Sequence, residues 1–329
     1  MLSVIIPVYN EEKYIEHCLH SIINQDYDKE DLEVFFIDGL SSDATRRIIS
    51  DYARQYPYIH LIDNPNRIVP YGMNIGIGMA KGDIIMRLDA HADYQSNYFS
   101  TLTSALQTLQ ADNVGARWRT DVLHHTPKTD AIKEVLCHKF GVGNSAFRID
   151  TGNDDIMEAD TVPFGCFRRD VFTRFGLYNT LLVRNQDIEL NKRIHAGGGK
   201  IYLLPQVLCT YYARETFASI ARNNYLNGLW NLLTVKITKH FSSLSIRHFV
   251  PLLFLLSLII PAICSIAYWP FILISALSLT LYLIFLLITC TNISLRKRRH
   301  FGYLCIAFIV LHFSYAAGSL VGIFKSVKK

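Results

Sequence analysis

From Phe249 to Leu295, and again from Phe301 to Phe324, the chain contains no Asp, Glu, Lys or Arg. About 20 consecutive apolar residues cross a bilayer as a helix, so the first run has length for two crossings and the second for one. Segments near 249 to 268, 270 to 292 and 301 to 323 are therefore expected to form three transmembrane helices. Pro270, just after Tyr268 and Trp269, suits a tight turn with aromatic residues at a membrane interface. These runs explain why 50% of the 329 residues are hydrophobic, more than a soluble domain usually needs.

The net charge of +5 is modest, and its placement says more than its size. Lys236, Lys239, Arg247 and His248 precede the first apolar segment, while Arg296, Lys297, Arg298 and Arg299 follow the second. If the first two segments form a hairpin, both clusters fall on one side, which the positive-inside rule makes cytoplasmic. A complete third crossing would place Lys325 to Lys329 on the opposite side, which conflicts with the same rule. Met1 to Pro7 lacks the basic start of a signal peptide, so residues 1 to 215 are expected to stay in the cytoplasm as one domain. Residues 216 to 248 link that domain to the apolar region 249 to 329. Within the link, Phe217 to Phe241 interleaves apolar and aromatic residues with Arg222, Lys236 and Lys239, the pattern of a helix lying on a membrane surface. Seven cysteines without a CxxC pair fit a reducing compartment and argue against structural zinc. No nucleic-acid partner is expected.

The first 90 or so residues alternate short apolar runs with helical patterns. Leu2 to Ile6, Leu32 to Ile37, Ile59 to Ile62 and Asp83 to Leu88 read as strands; Glu11 to Ile23, the stretch from Ser42 or Asp43 to Tyr52, and Pro70 to Ala80 read as helices. This alternation predicts an α/β fold with a mostly parallel, Rossmann-like sheet and helices on both faces, binding ligands beyond the strand C-termini. Polar groups cluster at three such ends: Tyr9-Asn10-Glu11, Asp38 with Ser41 to Asp43, and Asp89-Ala-His91.

Neither a GxGxxG nor a GxxxxGK[ST] loop is present, so the usual phosphate cradles are missing. A diphosphate ligand would then call for a divalent metal, and Asp89, His91 and Asp93 are metal-competent. All three share a face if the segment is extended; fewer do if the chain turns after Ala90. Carboxylates suit Mg2+ or Mn2+, and an imidazole tilts the choice toward Mn2+.

Seven segments taken together in order carry a family resemblance: Val4 to Glu12, Phe36 to Thr45, Asn74 to Ile77, Ala80 to Asp83, Arg87 to His91, Thr161 to Arg169 and Val183 to Arg193. The chain resembles bacterial family 2 glycosyltransferases of the GT-A fold, and more narrowly the membrane-bound enzymes of succinoglycan-type exopolysaccharide assembly. The resemblance covers residues 2 to 230.

That resemblance implies an inverting, metal-dependent transfer of a sugar from a nucleotide-sugar, expected to be a UDP-sugar. The acceptor it implies is a polyprenyl-diphosphate-linked saccharide at the inner face of the cytoplasmic membrane. Pro7, Tyr9, Asn10 and Glu11 look like the nucleotide-binding loop, with Glu11 near the ribose, and Asp38 looks like the carboxylate that meets uracil. Asp89 and His91 stand where the family has D-x-D and would hold the Mn2+ or Mg2+. Asp187 corresponds to the general base, although Gln186 replaces the Glu that commonly precedes it. Phe164 and Gly165 look like the acceptor-side loop, and Gln186 is a further candidate there. Asn74 and Gly76 are read as structural. The Q-x-x-R-W segment of processive relatives is absent from Arg222 to Trp230, which favours single addition over a processive polysaccharide synthase. A catalytically inactive anchoring subunit of an assembly complex is the rival from a different class. A homo-oligomer or an assembly complex is a further expected partner arrangement.

Overall fold

The computed structural model describes residues 1–143, 147–149, 152, 154–239 and 246–327. Phe241, the last residue of the membrane-surface segment read from the sequence, and the terminal Lys328 and Lys329 lie outside the described residues. The chain divides into two compact units, Met1–Arg119 with Ala146–Tyr212, and Thr120–Ser145 with Ala213–Lys329.

The first unit is built on a sheet of nine strands: β1 (Leu2–Val8), β2 (Leu32–Asp38), β3 (Ile59–Asp63), β4 (Ile84–Arg87), β5 (Ala92–Tyr94), β6 (Asn113–Asp121), β7 (Met157–Glu158), β8 (Cys166–Arg168) and β9 (Ile201–Tyr212). Their order is β3-β2-β1-β4-β8-β6-β9-β5, with β7 paired to β9. The strands β3, β2, β1 and β4 are parallel, joined by crossover helices Ile15–Ile23, Thr45–Gln55 and Val69–Met79. Residues along β1 and β2 alternate between two cores. Val4, Ile6, Val34 and Phe36 enter one, and Ile5, Phe35 and Ile37 enter the other, as strands covered on both faces require. Gly76 lets helix Val69–Met79 lie directly on β1, since a Cβ there would strike Ile5. Asn74 fastens a segment distant in sequence to this helix through two bonds with the Tyr178 backbone, at 2.9 and 3.0 Å.

The mostly parallel expectation holds for this half and stops at β4. Strands β8 and β6 continue the sheet antiparallel, and β5 and β7 pair antiparallel with β9. Helices Tyr98–Thr108 and Gln186–Ala196 still precede β6 and β9, yet the strands of this half pair antiparallel, so the alternation that predicts parallel pairing does not carry past β4.

The second unit is helical: Pro127–Cys137, Lys139–Val142, Phe217–Thr238, Val250–Cys264, Ile272–Lys297 and Phe301–Phe324. Among the described residues, Trp269–Lys297 and Phe301–Phe324 are long and apolar enough to cross a membrane. The first apolar segment makes a helix of only 15 residues, Val250–Cys264, shorter than a full crossing. Helix Phe217–Thr238 packs along Phe301–Phe324 through small residues, with Gly318 against the Tyr225 carbonyl and Gly228 against the Tyr315 carbonyl. Its buried face includes Asn224, Asn231 and Thr234. Lys236 donates to the carbonyls of Ile323 and Lys325 at 2.6 and 3.0 Å, at the C-terminal end of Phe301–Phe324.

Candidate active site

The parallel strands all run one way, so the segments after β1, β2 and β4 emerge on one edge of the sheet, where such folds gather ligands. Asn10 takes a left-handed conformation, φ 54°, that turns the chain sharply after β1. The turn is laced to the segment after β2. Asn10 N–H donates to Ser41 Oγ at 2.9 Å, Ser42 N–H to Asn10 Oδ1 at 2.9 Å, and Glu11 N–H to Thr45 Oγ1 at 2.9 Å. Pro7 lies within β1 beside Ile37 of β2, and Tyr9 is exposed beyond the strand.

Asp38 closes β2 with its side chain fully buried. Its Oδ2 accepts from Ser41 N–H at 3.0 Å and from the Arg46 guanidinium at 2.5 Å, and its Oδ1 accepts from the Ser41 hydroxyl at 2.5 Å. Arg46 also pairs with Asp63, the last residue of β3, at 2.8 Å. The carboxylate expected to meet a base is thus held inside its own loop.

Asp89 and His91 lie against each other. Asp89 Oδ1 lies 2.7 Å from His91 Nδ1, and Glu11 Oε1 lies 3.4 Å from the same nitrogen. Burial opposes ionisation of Asp89, but the facing imidazole and Arg87 outweigh it and bring its carboxyl down to about 2. Burial likewise opposes charge on His91, and Asp89 and Tyr211 overcome it, raising the imidazole well above its ordinary value. Tyr94 clamps the segment: its hydroxyl accepts from Asp89 N–H at 2.8 Å and lies 3.0 Å from the Asp89 carbonyl, to which it donates.

The chain turns at Ala90 and His91 before entering β5, so the two-residue alternation is broken and Asp93 parts from the pair. Asp93 Oδ2 accepts from the Tyr212 hydroxyl at 2.5 Å instead. Among the described residues, no three His, Cys, Asp or Glu side chains gather as a metal site. What remains is one carboxylate and one imidazole, a quarter exposed or less, with Glu11 beside them. Once the imidazole gives up its proton, that donor set fits a divalent cation such as Mn2+, with the open positions left to oxygen ligands.

Asp187 stands in the first turn of helix Gln186–Ala196, and its carboxylate is ion-paired with Arg87, the last residue of β4. The helix is keyed to the sheet by a buried chain of amides: Asn113 donates to Asn191 at 2.9 Å, and Asn191 to Thr161 at 2.9 Å. Leu190 and Asn191 are buried on that side, and Glu189, also buried, pairs with Arg193 at 2.8 Å. Gln186 is buried, and its Oε1 has no hydrogen-bond partner among the described residues. Phe164 is buried with φ 46° and packs against Trp118 with tilted rings, centres 5.0 Å apart. Gly165 follows; a Cβ on it would strike Asn113 Oδ1 and the Phe167 ring. Its carbonyl accepts from Arg87 N–H at 2.9 Å.

Sequence reasoning missed Arg87 as a member of this constellation. The signal was present: an arginine at the end of an apolar strand run must find a counter-charge when buried, and at 7% exposure this one does. Arg87 bonds Gly165 through its backbone, pairs with Asp187 through its side chain, and acts electrostatically on Asp89.

The model of the family described as glycosyl transferase family 2 matches residues 3–173. The chain is 27% identical over 284 residues to a Methanococcus voltae protein named dolichyl N-acetyl-alpha-D-glucosaminyl phosphate 3-beta-D-2,3-diacetamido-2,3-dideoxy-beta-D-glucuronosyltransferase, covering 84% of this chain and 87% of that one. It is 26% identical over 251 residues to the succinoglycan biosynthesis protein ExoA of Rhizobium meliloti, covering 76% and 74%. Among solved structures, the mannosyltransferase PcManGT from Pyrobaculum calidifontis, in complex with GDP-Man and Mn2+, matches with a TM-score of 0.56 at 18% identity, covering 95% of this chain and 86% of that one. The last likeness is one of fold, the GT-A arrangement.

Proposed function

From the premise that this chain belongs to glycosyl transferase family 2, we propose that it moves a sugar from a UDP-sugar to a lipid-linked saccharide at the cytoplasmic face of a membrane, inverting the anomeric centre. The observation that carries this reading is the Arg87–Asp187 ion pair, which ties a carboxylate to the strand that leads directly into Asp89 and His91. The name of the Methanococcus voltae relative, with its dolichyl phosphate, supports a lipid-linked acceptor, and that of the Rhizobium meliloti relative supports a role in polysaccharide biosynthesis.

In this reading Asp187 takes the proton of the acceptor hydroxyl as its oxygen bonds to the anomeric carbon. The bond from that carbon to the donor phosphate breaks, and its electron pair leaves with the nucleoside diphosphate. Arg87 orients Asp187 and keeps its charge compensated between turnovers. Phe164 and Gly165 shape the acceptor side of the same edge, and Asn10, Glu11 and Asp38 the nucleotide side. Asp89 and His91 would hold Mn2+ or Mg2+, which when bound neutralises charge on the diphosphate. In this reading the two long apolar helices anchor the chain, and the basic residues Arg296 to Arg299 support a cytoplasmic position for that end by the positive-inside rule. Incubating the purified full chain with UDP-, GDP- and dTDP-sugars and a polyprenyl-diphosphate saccharide tests the reading. Release of UDP with extension of the acceptor is expected, and release of another nucleotide alone would overturn the donor assignment.

A further inference from the structure

Helix Ile272–Lys297 leaves Leu273, Leu277, Phe285 and Ile288 between 54 and 60% exposed, and its apolar run ends at Arg296. For a helix of this length and composition, the end of the apolar run marks the level of lipid headgroups. Beside the turn that follows lies a cavity of about 410 Å³, lined by His125, Thr126, Asp130, Arg298, Arg299 and His300.

The charges around it are unevenly committed. Asp130 is the acidic group in the lining, and both its oxygens are taken, by His125 Nδ1 at 2.8 Å and Arg299 Nη1 at 2.7 Å. Glu134, one helical turn on, is buried and held by Lys297 at 2.6 Å and Arg299 at 3.4 Å. These contacts use Lys297 and Arg299 to hold helix Pro127–Cys137 against the turn. Arg298 is left exposed, in a left-handed conformation of φ 53° that ends the helix, with no ion-pair partner among the described residues. His300 caps the next helix, its Nδ1 accepting from Tyr303 N–H at 3.4 Å.

We propose that this cavity binds the phosphate of a membrane lipid. A guanidinium offers paired N–H groups in the geometry a phosphate accepts; His125 is committed to Asp130 and Asp121, while His300, whose Nδ1 accepts from Tyr303, has Nε2 as its donor nitrogen. A basic pocket at the cytoplasmic end of membrane helices meets lipid phosphates at the level where they lie. The charge of Asp130 is already balanced inside the pocket, so the attraction of Arg298 for an incoming anion is not cancelled. The site rests on the second unit alone and is independent of the reaction proposed above. An anionic phospholipid and a polyprenyl phosphate both carry the group it recognises; free inorganic phosphate shares the chemistry without the lipid.

The test is native mass spectrometry of the full chain in neutral detergent, offered phosphatidylglycerol, a polyprenyl phosphate, phosphatidylcholine or inorganic phosphate. Retention of either anionic lipid over phosphatidylcholine is expected, undiminished by equimolar inorganic phosphate. Arg298→Gln should weaken it about tenfold, the loss of one charge-assisted contact, while Arg296→Gln, outside the lining, leaves it unchanged. Thermal unfolding of both variants verifies their fold, and the lipid comparison on the unaltered chain needs no variant. Equal loss in both variants would show diffuse attraction to a basic turn and overturn the site. Absence of preference over phosphatidylcholine, or displacement by inorganic phosphate, would overturn the lipid assignment.

Discussion

Arg87 ends strand β4 and Asp187 lies in the first turn of helix Gln186–Ala196, and the two side chains form an ion pair that is almost closed to solvent on the arginine side. The contact joins two segments that are remote in sequence. It also sets Asp187 next to the residue that leads into Asp89 and His91. The mechanism proposed here depends on that adjacency.

The pair itself is open to test. Arg87→Met leaves Asp187 without its counter-charge and removes a buried partner, at a cost of about 1 to 3 kcal/mol, a drop of several degrees in Tm. Arg87→Lys keeps the charge and loses the planar fork, so turnover should fall in the order wild type, Lys, Met. Nucleotide release by each purified variant measures this. A Met variant as active as wild type would remove Arg87 from the account.

Two glycines give opposite expectations for the same substitution. Gly165→Ala would drive its methyl into Asn113 and Phe167 and shift the backbone that Arg87 bonds, costing about 1 to 3 kcal/mol and much of the activity. Gly78→Ala, in helix Val69–Met79 with nothing within 4 Å of the new methyl, should be neutral or stabilise by up to about 1 kcal/mol. Thermal unfolding of the two variants side by side decides the point.

Asp89→Ala or His91→Ala should remove metal-dependent nucleotide binding, and EDTA should lower the affinity of the unaltered chain in the same way. Tyr94→Phe, which deletes the hydroxyl clamped on the Asp89 backbone, should weaken binding without abolishing it. Calorimetry of UDP binding with Mn2+ and with EDTA reads all four. Equal affinity with and without EDTA would contradict a metal at this pair.

Burial pushes the Cys18, Cys166 and Cys209 thiols up from their ordinary range, with Asp89 adding to the shift at Cys18 and Cys209. A raised value keeps the thiol protonated at neutral pH, and the thiolate is the reactive form. All three should resist alkylation between pH 7 and 9 in the folded chain and react fully once it is denatured, as peptide mass spectrometry would show.

The fold was largely legible where local pattern decides it. Expected strands Leu2 to Ile6 and Leu32 to Ile37 form within one or two residues of their observed ends, because short apolar runs, each interrupted by a single polar residue (Ser3, Glu33) and bounded by polar turns, favour a buried strand. That Asp89 and His91 lie near one another follows from their spacing, whereas Asp93 is separated from them only by the turn at Ala90, which depends on β5 finding β9. Partners that arise through distant contacts were not readable: Arg46 on Asp38, Arg87 on Asp187, and Lys297 and Arg299 on Glu134. Each is a charge whose need for a partner is visible in sequence while the partner's identity is set by tertiary packing.

The central claim is that Asp187 is the base, and Asp187→Asn tests it most directly because the amide keeps the shape and loses the basicity. Sugar transfer to a lipid-linked acceptor and equilibrium binding of UDP should be measured on the same preparation. The account predicts that transfer is abolished while UDP affinity stays within a few fold of wild type; turnover at the wild-type rate would contradict it.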